Sequence, residues 1–413
     1  MAAPKLRFKD FDQDWTGLKI KDLVKSLDAG VSVNSEDVEP QEYEYSVLKT
    51  SCISSGYFDE NERKRVLQDG EIQRLKEPVL DDSILMSRMN TPLLVGMNAY
   101  VFKAPKNTFL PDRLWQLKID NNKTVTRWLA FYLGSDQGLN QIRDLASGTS
   151  NSMKNITKPD VLNIDLFAPQ KEEQTKIVAF LSAVDEKISQ LTQKHELLGQ
   201  YKQGMMQKLF SQQIRFKADD GSEFGEWEDK TIEQIANFRR GSFPQPYGLP
   251  EWLDSNGFPF VQVYDVSDKM LLKERTKIKI SQLAADQSVF AKQGTLIITI
   301  QGSIGRIAKM QYDAYVDRTL LIFQSYNYEV DVDYFKYALF LLFNIEKERA
   351  EGAIIKTITK ETLSKFIVQL PCLEEQTKIA NFLSAIDQKI EVVAQQIEQA
   401  KQWKKGLLQQ MFV

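Results

Sequence analysis

Polar side chains that can hydrogen-bond to nucleic-acid bases follow two apolar runs of the chain. The runs, Ile84–Ser87 and Leu296–Ile300, have the length and composition of buried strands. The candidates for base contacts that follow them are Arg88, Asn90, Gln301, Ser303 and Arg306. Arginine, asparagine and glutamine form bidentate hydrogen bonds with guanine or adenine edges, and glycine lets a loop approach a groove. An ordinary polar turn has the same composition, so both interpretations stay open at this point.

A second group of candidate residues is basic. Its members are Lys273, Arg275, Lys277 and Lys279, with Arg63 and Lys64 at roughly the corresponding place in the first half. Alternate residues of a strand project from one face, so the first four are expected on a single strand face. A solvated strand face gives the same alternation.

Patterns for catalysis are weak in this sequence. It contains no P-loop, dinucleotide-binding fingerprint or metalloprotease helix. Pro159-Asp160 with the later Asp185 and Lys187 imitates the pattern of metal-dependent nucleases, but the later pair is expected on a helix surface. The only histidine, His195, also falls on that helix, and two cysteines cannot form a cysteine-rich metal site. We therefore expect no catalytic residue, no metal site and no cofactor bound by this chain.

The elements that must position these groups follow from an internal repeat. The stretch from Pro169 to Ile188 returns from Pro371 to Ile390, and the offset of 202 residues then holds to the last residue. Apolar residues recur there at alternating steps of four and three, which is typical of a coiled-coil seam. The seam residues are Ile177, Leu181, Val184, Ile188, Leu191, Ile379, Leu383, Ile386, Ile390 and Val393. We predict two long antiparallel helices, each beginning just after its proline.

Lys202 and Lys404 interrupt the seam at equivalent positions. A polar seam residue can fix the register of a coiled coil. The interpretation that we favour from sequence is a lysine whose ammonium group reaches solvent at a frayed rim.

The segments between the helices also match each other, though more weakly. Arg7 and Trp15 recur as Arg215 and Trp227, and the two apolar runs correspond. The predicted organisation is one globular domain at 1–168, a helix at 169–213, a second domain at 214–370 and a second helix at 371–413. The fold class is α+β, with two mixed α/β domains in a pseudo-twofold arrangement, separated by two long antiparallel coiled-coil helices.

Composition and charge describe an ordinary water-soluble protein. The 413 residues are 42% hydrophobic and 26% charged, and the net charge is −3. This charge is unusual for a protein that binds nucleic acid alone, because such proteins carry a basic excess. The longest apolar run, from Tyr337 to Phe343, is too short to span a bilayer. We expect a cytoplasmic protein that makes no membrane contact.

These features together resemble the specificity subunit of type I DNA restriction–modification systems. The resemblance rests on Trp15 and Trp227, on the strand–loop blocks, on the loops at Gly148 and Gly352, and above all on the paired Glu-Glu-Gln-Thr-Lys-Ile helices. It implies a non-catalytic DNA reader in which each target-recognition domain reads one half of an asymmetric, interrupted site. The helices would set the gap between the halves and dock the partner subunits.

The resemblance also implies partners and residue roles. Two methyltransferase subunits are expected to bring S-adenosylmethionine, and two restriction or translocase subunits are expected to use ATP and magnesium. The five polar loop residues are assigned to bases, and the six basic residues are assigned to phosphates of double-stranded DNA. An alternative remains, in which a structural or adaptor protein uses its coiled coil to bridge two protein-binding domains.

Overall fold

The computed structural model describes residues 3–148, 152–349 and 359–413. Of the loops that contributed to the resemblance, the Gly352 loop and the residues directly after Gly148 lie outside the described residues. The chain divides into two compact units, one of Met1–Gln193 with Ala394–Val413 and one of Lys194–Val393. Each long helix therefore contributes residues to both units.

The first unit is built mainly from short strands. Its strands are β1 (Thr16–Lys19), β2 (Val24–Ala29), β3 (Tyr45–Leu48), β4 (Arg63–Val66), β5 (Ser83–Ser87), β6 (Met89–Asn90), β7 (Asn98–Val101), β8 (Thr108–Phe109), β9 (Leu114–Ile119), β10 (Lys154–Asn155) and β11 (Asp165–Ala168). Its helices are α1 (Ile20–Leu23), α2 (Asp69–Ile72), α3 (Thr126–Gly134), α4 (Asp136–Asp144), α5 (Lys158–Leu162) and the start of α6 (Lys171–Phe210).

Two sheets dominate this unit. The central sheet has the order β2-β9-β5-β7, and the distal sheet has the order β4-β3-β8. All pairings in the central sheet are antiparallel, whereas β3 and β8 run parallel. Every residue of β5 is buried, as its apolar sequence predicts.

The second unit repeats the same plan. Its strands are β12 (Glu228–Thr231), β13 (Ala236–Arg240), β14 (Leu253–Val261), β15 (Ile278–Ile280), β16 (Val289–Ala291), β17 (Leu296–Thr299), β18 (Ile307–Lys309), β19 (Ala314–Val316), β20 (Leu320–Tyr326) and β21 (Ile367–Leu370). Its helices are α7 (Ile232–Ile235), α8 (Gln282–Ala285), α9 (Val332–Arg349), α10 (Lys360–Ser364) and the first part of α11 (Leu373–Met411).

The sheets of the second unit correspond to those of the first. Its central sheet has the order β13-β20-β17-β18, and its distal sheet has the order β15-β14-β19-β16. Strands β14 and β19 run parallel, as β3 and β8 do. The predicted α+β fold class, with two mixed α/β domains and two long helices, is confirmed.

One glycine in each unit marks an equivalent close approach of two backbones. A Cβ atom on Gly30 would lie 1.7 Å from the carbonyl oxygen of Leu110, and one on Gly241 would lie 2.1 Å from that of Val316. No larger residue fits at either position without moving the backbone. The two glycines therefore permit the same packing in both units.

The long helices pair through the predicted seam. They begin shortly after Pro169 and Pro371, and nine of the ten predicted seam residues are at most 8% exposed, with Ile390 partly buried. In the first unit the end of α11, including Leu407 and Met411, shares a core with Ile177 near the start of α6. In the second unit the end of α6 shares a core with the start of α11. Within each unit the two helices are therefore antiparallel.

The two seam lysines are largely buried in ion pairs and do not lie at a frayed rim, so the interpretation that we favoured from sequence is wrong. Both lysine side chains are only 14% exposed. Lys202 lies 2.6 Å from Asp387, and Lys404 lies 2.6 Å from Asp185. An aspartate directly after a seam residue of each helix, Val184 or Ile386, thus supplies the counter-charge that a largely buried ammonium group requires.

Each lysine–aspartate pair also receives a tyrosine. The hydroxyl of Tyr57 donates to Asp185 at 3.0 Å, and that of Tyr337 donates to Asp387 at 2.7 Å. Burial raises the pKa of the Tyr57 hydroxyl, while the charge of Lys404 opposes the shift. Tyr57 therefore stays a neutral donor at physiological pH, and it ties the domain to the helix.

A second repeated ion pair anchors each domain at the start of a long helix. In the first unit Arg7 binds Glu173 through two nitrogen atoms at 2.8 Å, and in the second Arg215 binds Glu375 at 3.1 and 2.7 Å. The indole of Trp227 donates to Glu375 at 2.9 Å. These contacts explain why the Arg and Trp residues recur at the start of each domain.

Candidate nucleic-acid interface

The predicted base-contact loop of the first unit begins where β5 ends. The Nε atom of Arg88 donates to the carbonyl oxygen of Asp112 at 2.6 Å, and its guanidinium group lies 3.6 Å from the Asp112 carboxylate. Asn90 donates to the Ser87 hydroxyl at 3.3 Å and accepts from the Thr91 amide at 2.8 Å. The structure brings both candidates to one end of the central sheet, where each already has protein partners.

The corresponding loop of the second unit begins where β17 ends. Gly302 and Gly305 have φ values of +70° and +77°, which are strained for other residues. Ser303 is exposed and Gln301 is half-buried. Arg306 lies 2.8 Å from Asp268, whose side chain is 81% exposed. The three predicted side chains thus share one loop, and the arginine is again paired with an aspartate.

Sequence reasoning missed two exposed arginines beside these loops, Arg113 and Arg318. Each follows an aspartate and stands just before a strand of the central sheet, β9 or β20. The repeated Asp-Arg dipeptide was the available signal. It passed unnoticed because the strands that follow differ in sequence.

The basic residues of the first unit lie on an edge strand. Arg63 and Lys64 belong to β4, which pairs with β3 and forms one isolated bridge on its other side, between Arg65 and Glu36. Neighbouring residues of a strand face opposite sides, so these two side chains do not share a face. Both are half-buried.

The prediction that four basic residues alternate along one strand is wrong in part. Strand β15 spans only Ile278–Ile280, so Lys279 alone is in the strand and the other three precede it in a loop. The loop wraps around the buried Asp265, which accepts from the Lys277 amide at 3.0 Å. Burial raises the pKa of the Asp265 carboxyl group, and the charges of Lys273 and Lys277 act in the opposite direction.

All four of these basic side chains are nevertheless exposed. They are Lys273, Arg275, Lys277 and Lys279. Strand β15 lies at the edge of the distal sheet next to β14, as β4 lies at the edge next to β3. The basic residues of the two units therefore occupy equivalent places, as the sequence comparison predicted approximately.

Neither a metal site nor a membrane-spanning helix is found in the described residues, which are 3–148, 152–349 and 359–413. Those residues contain no group of three or more side chains that could hold a metal ion. No helix among them is both long enough and apolar enough to cross a bilayer.

Comparison with known proteins gives the same twofold division. The family model for the type I restriction modification DNA specificity domain matches the chain twice, over residues 12–198 and 225–402. The chain belongs to the type I restriction–modification specificity subunits. As a specificity subunit it has two target-recognition domains, one for each match.

Individual specificity subunits match this member of the family along nearly their whole length. Two proteins of Methanocaldococcus jannaschii, named as specificity subunits of the type I restriction enzymes MjaX and MjaVIII, are 24% and 23% identical to it. The matches cover 98% and 96% of this chain and 94% and 91% of the relatives.

Solved structures show the same fold. The type I restriction–modification specificity subunit of M. genitalium has a TM-score of 0.60 at 19% identity, covering 100% of this chain and 99% of that one. A chain from a study of assembly and conformational transition in a type I system has a TM-score of 0.58 at 18% identity, covering 96% and 97%.

Proposed function

We propose that this specificity subunit recognises a bipartite, asymmetric site in double-stranded DNA, with one half read by each target-recognition domain. The observation that carries the proposal is the repeated placement of polar loops at the same end of two central sheets. The loop after β5 holds Arg88 and Asn90, and the loop after β17 holds Gln301, Ser303 and Arg306. The loops differ in sequence while the strands that carry them correspond, as two readers of different half-sites require.

The basic edge strands supply the proposed contacts with phosphates. Arg63 and Lys64 serve the first domain, and the exposed residues around β15 serve the second. Contacts of this kind position a protein on DNA and dominate its affinity, but they carry no sequence information. The net charge of −3 indicates that partner subunits supply part of the phosphate neutralisation.

The proposed partners are two methyltransferase subunits, joined by two restriction or translocase subunits. S-adenosylmethionine, ATP and magnesium belong to these partners in the proposal, and this chain positions them without catalysing a reaction. The long helices provide the docking surface. The exposed Tyr201 and Trp403, which stand at equivalent positions of the repeat, belong to this surface, and the Trp403 ring also packs against Phe180.

The recognition proposal is tested by selecting DNA from a randomised duplex library with the chain bound to its methyltransferase subunits. We expect an enriched site of two short fixed blocks separated by a constant number of unselected base pairs. Methylation of adenine in that site, measured with S-adenosylmethionine, checks the partner assignment. Enrichment of a single continuous block, or of no sequence, would contradict the proposal.

The helices are further proposed to set the gap between the half-sites. Because they pair in both units, the test requires seven-residue insertions in both, between Gln193 and Lys194 and between Gln395 and Gln396. Seven residues preserve the phase of the seam and lengthen each helix by about 10 Å. We expect the same two blocks with a longer gap. An unchanged gap in a folded, DNA-binding variant would refute this role of the helices.

A further inference from the structure

A short Asp-Arg turn joins the distal sheet to the central sheet within each unit. Asp112-Arg113 connects β8 with β9, and Asp317-Arg318 connects β19 with β20. The turns are equivalent, because β8 and β19 are the parallel partners of β3 and β14, while β9 and β20 pair with β5 and β17. Each unit thus has one arginine in the equivalent connection between its distal sheet and its central sheet.

Both turns lie directly beside the proposed base-contact loops. The amide of Arg88 donates to the carbonyl oxygen of Arg113 at 3.1 Å. In the second unit the amide of Ile300 donates to the carbonyl oxygen of Thr319, the residue after Arg318, at 3.0 Å. A ligand that contacts either loop therefore also meets the neighbouring turn.

The aspartate of each turn is engaged by other groups. Asp317 is 2% exposed and accepts hydrogen bonds from the Thr319 amide at 2.9 Å and from the hydroxyls of Thr319 and Tyr247. Asp112 accepts from the Ser32 hydroxyl at 3.2 Å and lies near Arg88. Neither carboxylate is an ion-pair partner of the arginine that follows it.

The arginines of the turns differ from those of the loops. Arg88 and Arg306 each have an aspartate as a partner, whereas Arg113 and Arg318 are exposed and form no ion pair within the described part of the chain. The Arg318 guanidinium group lies 4.9 Å over the ring of Tyr247. Burial and the bond to Asp317 raise the pKa of that phenol, so it stays a neutral donor and holds its ring in place.

We propose that Arg113 and Arg318 each read the edge of a guanine in the half-site of their own domain. This inference rests on the proposed function and names specificity-determining residues for it. A guanidinium group forms two parallel hydrogen bonds with O6 and N7 of guanine, which is the commonest specific contact in the major groove. The Arg318 guanidinium group, which lies over Tyr247, loses less freedom on binding than a mobile one would.

The charged residues next to the two turns differ, although the proposed arginine–guanine contact is the same. Next to Arg318, strand β13 carries the exposed Arg239 and Arg240, with Arg240 opposite Leu321. At the corresponding register of β2 the first unit has Asp28 and Ala29. In the proposal, the second domain therefore attracts the phosphates of its half-site more strongly than the first domain does. Each domain still has one arginine for a base.

The test uses the complex of this chain with its methyltransferase subunits and the duplex that the wild-type complex selects from a randomised library. Arg113→Ala, Arg318→Ala and the corresponding lysine variants are compared on that duplex and on duplexes altered at one base pair at a time. Lys103→Ala and Lys292→Ala are the controls, because both lysines are exposed and lie away from the turns. Lys103 follows β7 beside the start of β5, and Lys292 follows β16 beside the start of β19. Thermal unfolding of each complex verifies that the variants are folded.

We expect each arginine-to-alanine variant to lose roughly 5- to 150-fold of discrimination at one G·C pair, within a different half-site for each variant. The lysine variants should recover only part of it, because an ammonium group can donate to O6 and N7 but lacks the planar fork. An equal loss on all sequences, a loss at a pair other than G·C, or no loss at all would overturn the inference while leaving the proposed function intact. Failure of the wild-type complex to select any bipartite site would overturn the proposed function, and this inference with it.

Discussion

At the scale of single residues, each long helix has a buried glutamate near its start, where a domain packs against it. Glu375 is fully buried, yet it is held by the guanidinium group of Arg215 and by the indole of Trp227. A buried carboxylate is tolerated only when such donors replace water. Glu173 is held in the same way by Arg7, so both domains are fastened by one kind of contact.

Replacing this carboxylate tests how much the contact contributes. Glu375→Gln keeps the shape but removes the charge that Arg215 needs, and we expect a loss of about 1.5–3 kcal/mol in the free energy of unfolding. The lower part of this range applies because the Arg215 side chain is 25% exposed. Denaturant unfolding followed by tryptophan fluorescence measures the change.

The neighbouring Glu374 provides the matched control. It is exposed and lies 3.6 Å from Lys378, so Glu374→Gln should cost no more than about 0.5 kcal/mol. Equal effects of the two substitutions would contradict the structural role of Glu375.

At the scale of elements, the long helices were the most predictable part of the molecule. Their seam repeats over many turns, so sequence alone located both helices and their starts. The same regularity misled us about Lys202 and Lys404, because the side chains that neutralise them come from the partner helix. Spacing along one helix does not show which residues lie across from it.

The loops and the basic segment were less predictable, for a related physical reason. Alternation from Lys273 to Lys279 indicated one strand, but the buried Asp265 draws most of that segment into a loop. The Asp-Arg turns escaped attention because their equivalence depends on sheet order, which is set by pairing between residues distant in sequence. Buried strands such as β5 were located correctly because their apolar composition is local.

The buried lysine–aspartate pair in the first unit makes a prediction about helix pairing. Lys404→Met removes the nearer of two cations beside Asp185, since Arg127 lies 3.7 Å from the same carboxylate. We expect a loss of about 1–3 kcal/mol in the free energy of unfolding, because the largely buried carboxylate loses a donor. The double variant Lys404→Met with Asp185→Leu should be more stable than either single variant, because neither member of the pair is left without the other and the Arg127 side chain is 32% exposed. A double-mutant cycle by denaturant unfolding measures the coupling.

Lys401→Met is the control for that cycle, since Lys401 is exposed on the same helix. Its effect should be small. Additive effects of the Lys404 and Asp185 substitutions would show that the two groups do not act as a pair.

At the scale of the whole molecule, the offset of 202 residues applies to charges as well as to apolar residues. Asp185 corresponds to Asp387, and Lys202 corresponds to Lys404. Asp185 pairs with Lys404, and Asp387 pairs with Lys202. Each helix therefore carries one aspartate and one lysine. In each pair the aspartate of one helix binds the lysine of the other, and that lysine is equivalent to the one on the aspartate's own helix.

A fragment of residues 1–213 tests what this arrangement permits. We expect it to form an antiparallel homodimer in which Asp185 of one copy faces Lys202 of the other, detected by analytical ultracentrifugation. Asp185→Lys should prevent dimerisation by placing like charges together, and the addition of Lys202→Asp should restore it. A monomeric wild-type fragment would contradict the expectation.

By this expectation the repeated helix would be self-complementary. A protein of half this length, with one reading domain and one such helix, would assemble into a symmetric pair and recognise an inverted repeat. Duplication and fusion of that half, followed by change in one domain alone, would convert a protein that recognises a palindrome into one that recognises two different half-sites. The charges buried in the seam would need no alteration at any step.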